Sequence, residues 1–311
     1  MLFKKRLIPA GLTTLSLPYS DSLQKTVRVY VPEHKKGQKL PVIYMTDGQS
    51  VFDEESNPLG CWHTREAVAA EQAASGKAAI IVGIHSEPHP MHRTAELTPA
   101  SIGAFTPPPM DDLPPMPPMP EGMPPMPGGK PPMPEGMPPM PENMTPEMLR
   151  KMMEDMMKNF KPDGEKFDEF VVSTVMPAVE KQFPVKKGRD NTAIIGSSSG
   201  GLEVFYTALT HPSLFCAVGA LSPAFLFYKP EDVVKWTSER LGKTIPFLYL
   251  YCGEGEPKEK QMCDAARPVF DLIESRVPEK NRRIVITPDA IHNESAWEPV
   301  FKDFLHLFLH R

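Results

Sequence analysis

The 311-residue sequence has little cysteine, no excess of positive charge and no long apolar run. Four cysteines (Cys61, Cys216, Cys252 and Cys263) are too few to staple a chain of this length. The fold must therefore rest on a buried core, and the thiols are expected to be unpaired. Lysine and arginine number 34 against 39 aspartates and glutamates, a formal net charge of −5. That balance argues against nucleic acid as a partner, since such domains carry a basic surface. No segment approaches the roughly 18 consecutive apolar residues of a membrane-spanning helix, so no membrane partner is expected. Lys4, Lys5 and Arg6 imitate a secretory leader, but Pro9, Gly11, Thr13, Thr14 and Ser16 break the apolar stretch that must follow. The expectation is a cytoplasmic protein.

Proline and methionine are abundant instead. The chain has 38 prolines and 19 methionines, and both excesses fall in one place. Between Pro107 and Pro141 there are 17 prolines and 8 methionines, and residues 118–127 recur identically at 132–141. Proline cannot donate to a strand ladder, so 107–144 is expected to be disordered, polyproline-like chain. Thr145 and Pro146 then open a helix to about Phe160, with Met148, Met152, Met153, Met156 and Met157 on one face. Such a tract suits a protein partner with an aromatic groove, or soft Cu(I) ligation by thioethers, though a tolerated insertion is the simpler reading.

Outside this insertion, short β-favouring runs alternate with amphipathic helices. Strands are expected at 26–31, 41–46, 78–84, 192–196, 215–221, 245–252 and 283–287. Helices are expected at 65–75, 164–182, 199–210, 230–241, 260–276 and 296–309. Alternation of this kind predicts one α/β domain over 1–311, with a mostly parallel sheet and helices on both faces. Functional groups in such sheets lie beyond the carboxyl ends of the strands.

One of those ends carries Gly196-Ser197-Ser198-Ser199-Gly200, a G-x-S-x-G turn between a strand and a helix. Ser198 is the expected nucleophile at its apex, and the Ser199 N–H at the helix start is an expected oxyanion donor. The base should follow in the chain. His292 lies on a loop beyond the last strand, whereas His306 and His310 fall within the closing helix and read as exposed or packing positions. An orienting acid is expected after the strand ending at Cys252, where Glu254, Glu256 and Asp264 are all available. His85, His89 and His92 lie within eight residues, but Pro88 and Pro90 break any helix that would align them as metal ligands. Neither a metal nor another cofactor is expected.

Several stretches together resemble the "Putative esterase" family of α/β-hydrolases, which includes enterochelin esterases, feruloyl esterases and S-formylglutathione hydrolase. They are Val42 to Gln49, Ile81 to Ile84, the serine turn with Gly201-Leu202, His211 to Phe215, Leu221 to Ala224, and His292-Asn293-Glu294 with Trp297. The resemblance implies an α/β-hydrolase fold and a serine carboxylesterase acting on a small-molecule ester or lactone, a siderophore ester among the candidates. It favours Glu256 as the acid and the Gln49 N–H as the second oxyanion donor, and it places the His85 loop beside the cleft. His85, Trp297, Met152 and Met156 are the expected substrate contacts. An acyltransferase would use the same residues.

Overall fold

The computed structural model describes residues 7–53, 60–106 and 160–311. The proline-rich stretch and the segment expected to form a methionine-rich helix, with Met152 and Met156, lie outside the described residues. Among those described, the strands are β1 (Leu7–Ile8), β2 (Gly11–Pro18), β3 (Gln24–Val31), β4 (His34–Lys35), β5 (Val42–Met45), β6 (Ile80–Ile84), β7 (Thr192–Ser197), β8 (Ala217–Leu221), β9 (Phe247–Gly253) and β10 (Arg282–Thr287). The α-helices are α1 (Thr64–Ser75), α2 (Pro90–Glu96), α3 (Gly164–Phe170), α4 (Met176–Gln182), α5 (Ser199–Thr210), α6 (Pro230–Arg240), α7 (Pro257–Arg276) and α8 (Glu294–Leu309). A π-helical turn, Val171–Val175, joins α3 to α4.

Eight strands form one sheet in the order β10-β9-β8-β7-β5-β6-β3-β2. The run from β10 to β6 is parallel, and β3 and β2 add antiparallel at one edge. This is an α/β-hydrolase sheet. Its central strands are buried on both faces, which is why they read as continuous apolar runs rather than alternations. Val42, Tyr44 and Ile194 point to one face, where the apolar sides of α3 to α7 close the core. Ile43, Met45 and Ile195 point to the other, covered by α1 and α8.

Two differences from the sequence reading have local causes. Gly11, Thr13, Thr14 and Ser16, which interrupt an apolar run, belong to β2, an edge strand that needs no apolar continuity. Pro90 does not break a helix but begins α2, because proline at the first position loses only an N–H that has no partner there. No disulfide joins any of the four cysteines. Among the described residues no helix is long and apolar enough to cross a membrane.

Candidate active site

Strand β7 ends at Ser197 and α5 begins at Ser199, leaving Ser198 alone on the turn between them. Its backbone sits at φ 59°, ψ −128°, a conformation that costs a non-glycine residue about 1–3 kcal/mol. Neighbouring backbone holds it there. The Ser198 N–H donates to Leu221 O at 2.9 Å, and Ser198 O accepts the Ala224 N–H at 3.1 Å. Gly196 and Gly200 permit the close approach, since a Cβ on either would collide with Thr46 Oγ1. Ser197 and Ser199 are buried, whereas Ser198 is half-buried and lines a cleft. Of the three serines, Ser198 is the one presented on the strained turn. The Ser199 N–H, first in the helix, has no partner within it.

The facing wall comes from the turn after β5. Asp47 adopts φ 53° and leads into a single 3-10 turn, Gly48–Ser50. Its buried carboxylate is gripped by Arg93 of α2, with Nε to Oδ1 at 2.5 Å and Nη2 to Oδ2 at 2.7 Å. The Ser86 hydroxyl also donates to Oδ1, and Gln49 Nε2 donates to Ser86 Oγ at 3.2 Å. Burial by itself would raise the Asp47 carboxyl. The Arg93 charge, with the hydrogen bonds from Arg93, Ser86 and Gln49, outweighs it and holds the group below the usual carboxylate range. An ionised aspartate thus ties together the turn after β5, the His85 loop and α2.

His292 lies beyond β10, in the loop before α8, and also lines the cleft. Its Nδ1 is 2.5 Å from Oε2 of Glu259, which is fully buried. Oε1 of the same carboxylate accepts the Gly253 N–H at 2.7 Å and the Ser222 hydroxyl. Ser222 in turn accepts the Trp297 indole N–H at 3.2 Å, and the Trp297 ring meets the imidazole edge-on with centroids 4.9 Å apart. Burial opposes ionisation of Glu259, but the donors from His292, Ser222 and Gly253 hold it below the usual carboxylate range. For His292 burial outweighs the pull of Glu259, and its pKa falls below that of a free imidazole. The ring is therefore neutral at pH 7.

This corrects the expected acid. Glu256 does not touch the imidazole; its Oε1 accepts the backbone N–H of His292 at 3.0 Å. Helix α7 starts at Pro257, three residues earlier than its periodicity suggests, so Glu259 sits in the first turn facing the end of β9. Pro257 is the signal that would have found it, because proline favours the first helical position. Arg93 escapes the sequence reading for a related reason: Pro90 opens α2 instead of breaking a helix. Glu254 pairs with Arg267, and Asp264 with Lys260, both away from the ring.

His85, Trp297 and Gln49 line the same cleft as Ser198 and His292, together with Lys25, Arg93 and Lys258. Its volume is about 830 Å³. Burial, with the charges of Arg28 and Lys25, pushes the His85 pKa down to about 4, so this ring too is neutral. His89 is engaged otherwise: its Nδ1 accepts the Met91 N–H and caps α2.

The model of the "Putative esterase" family matches residues 150–301, the stretch that carries Ser198, Glu259 and His292. Over that stretch, just under half of the chain, the sequence is similar to that family. Among curated proteins it is 28% identical over 96 residues, 31% of this chain, to an endo-1,4-beta-xylanase/feruloyl esterase from Xylanibacter ruminicola. That match spans 12% of the longer protein. The fold superposes on a ferulic acid esterase with a TM-score of 0.60 at 14% identity, covering 97% of this chain and 99% of that one. It superposes equally on the siderophore hydrolase EstB from Aspergillus nidulans, with a TM-score of 0.60 at 17% identity and 95% of each chain covered.

Proposed function

We propose that this esterase-like chain is a serine carboxylesterase working through an acyl-enzyme on Ser198. One observation carries the reading: the serine on the strained turn shares a cleft with a neutral imidazole whose Nδ1 is bonded to a buried, ionised glutamate. With Nδ1 committed to Glu259, Nε2 is the nitrogen left to accept a proton. Ser198 Oγ attacks the ester carbonyl while its proton passes to His292 Nε2. The negative charge that develops on the carbonyl oxygen is met by the N–H groups of Ser199 and Gln49. The C–O bond to the alcohol then breaks, and the imidazolium returns its proton to the departing oxygen. Water, deprotonated by the same imidazole, attacks the acyl group and regenerates Ser198. Glu259 holds the tautomer and stabilises the imidazolium.

Most residues that line the described cleft are polar or charged, among them Gln24, Lys25, Thr26, Ser86, Thr94 and Lys258, although carbon makes up the larger part of the surface they present. That lining suits an ester or lactone with a hydroxylated or anionic acyl or alcohol part, better than a long alkyl chain, because an alkyl tail would desolvate these groups without replacing their hydrogen bonds. The phenolic and siderophore esters named for the similar proteins are of that type. The test is a rate panel of acetyl, feruloyl, catecholate-lactone and long-chain esters against wild type and Ser198→Ala. The short polar esters should be hydrolysed faster than the long-chain ones, with activity lost in the variant. A preference for long alkyl chains, or full activity in Ser198→Ala, would overturn the reading.

A further inference from the structure

The two histidines of the closing helix, which the esterase chemistry leaves unused, do not stand alone. His306 lies in the last turn of α8 and His310 caps its end one turn on, their rings stacked at 4.3 Å, and both face Glu71 of α1. His306 Nδ1 lies 3.2 Å from Glu71 Oε2, and His310 Nε2 lies 2.9 Å from Oε1. These donor atoms all fall within 4.8 Å of one another. Ligands held at about 2.0–2.1 Å on a tetrahedral ion are roughly 3.3 Å apart, so small movements would admit one. Two imidazoles and a carboxylate form a borderline donor set, suited to zinc-like divalent ions rather than to calcium or magnesium.

The surroundings favour a cation. Glu71 lies in the last turn and a half of α1 and the histidines at the end of α8, so the negative ends of two packed helices converge here. Ser75 Oγ donates to Glu71 Oε1 at 2.6 Å and fixes the carboxylate as a supporting ligand residue would. Hydrogen bonds from Ser75, His310 and His306 outweigh the burial cost and hold the Glu71 carboxyl below its usual range. One neighbour opposes ligation. Lys77 Nζ lies 3.3 Å from His310 Nδ1 and donates to Leu309 O at 2.9 Å. For Nε2 to bind a metal, Nδ1 must carry the proton, and an ammonium donating to it competes directly.

We propose that Glu71, His306 and His310 form a surface site for a Zn(II)-class divalent ion, which clips the last helix to α1. The site is separate from the catalytic cleft: His306 is nine residues along α8 from Trp297, about 14 Å of helix. Its role is to fasten the C-terminal helix, not to take part in ester hydrolysis.

The test is calorimetric titration of Zn(II) into the untagged full chain at pH 7.5, with thermal melts alongside. Wild type should bind one ion that His306→Asn and His310→Asn each weaken by about tenfold or more, as expected for loss of one of three ligands. Zn(II) should raise the Tm of wild type and not of those variants. Lys77→Gln should bind more tightly than wild type, an outcome that a simple hydrogen-bonded surface cluster would not give. Ester hydrolysis should be unchanged in all three. Absence of saturable binding by wild type, equal binding by the histidine variants, or weaker binding by Lys77→Gln would overturn the site.

Discussion

Replacing Glu259 by glutamine, beside the same change at Glu256, separates the glutamate that meets the imidazole from the one that the family resemblance favours. Glu259 receives three donors: the imidazole at 2.5 Å, the Gly253 N–H at 2.7 Å and the Ser222 hydroxyl. An amide can still accept at one atom. Its NH₂, however, can donate to Nδ1 and drive the imidazole proton to Nε2, the tautomer that cannot take a proton from Ser198. In a serine triad that tautomer error costs about 10⁴-fold in kcat, or roughly 5 kcal/mol. Glu256 accepts only the backbone N–H of His292, at 3.0 Å and partly exposed. A glutamine oxygen can accept the same bond, so its replacement should cost no more than about tenfold, the worth of one ordinary hydrogen bond. The assay is hydrolysis of an aryl acetate, with thermal melts to show that each variant folds. Glu256→Gln falling further than Glu259→Gln, with both folded, would refute the assignment of the acid.

Other outcomes follow from the same geometry. The pKa of His292 is lowered by burial, and only the neutral ring can accept the serine proton. The acid limb of kcat/KM should therefore lie below the ordinary imidazole value of about 6.5, and a limb above it would contradict the burial argument. Asp47→Asn should lower kcat by about tenfold or more while the fold persists, because the turn that carries Gln49, the proposed oxyanion donor, loses its anchor on Arg93; an effect on KM alone would count against that role. Joining Thr106 to Phe160 through a short Gly-Ser linker, deleting 107–159, should leave the cooperative melt intact. Both stems are fastened: Phe105 stacks on Phe160 at 4.2 Å, the Thr106 N–H donates to Phe227 O, and the Gly164 N–H donates to Thr98 O. Loss of folding on that deletion would show that the excised residues support the core.

The parallel sheet was legible because its strands are short apolar runs set between helices of helical period, and Ser198 because the strand–turn–helix context surrounds G-x-S-x-G. His292 was legible as a histidine in a loop beyond a strand. The errors gather at prolines. Pro90 and Pro257 both begin helices, and reading either as a loop residue hides the side chain three positions on (Arg93) or two positions on (Glu259) that reaches into the site. Ser222 at φ 43° and its bond to Trp297 could not be read at all, since they join residues 75 apart in sequence through tertiary packing alone. The convergence of Glu71 with His306 and His310 was hidden for the same reason: only the packing of α1 beside α8 brings them together.

The central claim is that Ser198 is the nucleophile, and the most direct measurement is covalent labelling of the full chain by a fluorophosphonate, read by peptide mass spectrometry. The adduct should lie on Ser198, be absent from Ser198→Ala, and persist in Ser197→Ala and Ser199→Ala, because of the three only Ser198 stands on the strained turn, in the cleft that His292 also lines. Labelling that survives unchanged in Ser198→Ala, or no labelling of a folded and ester-hydrolysing wild type, would contradict the account.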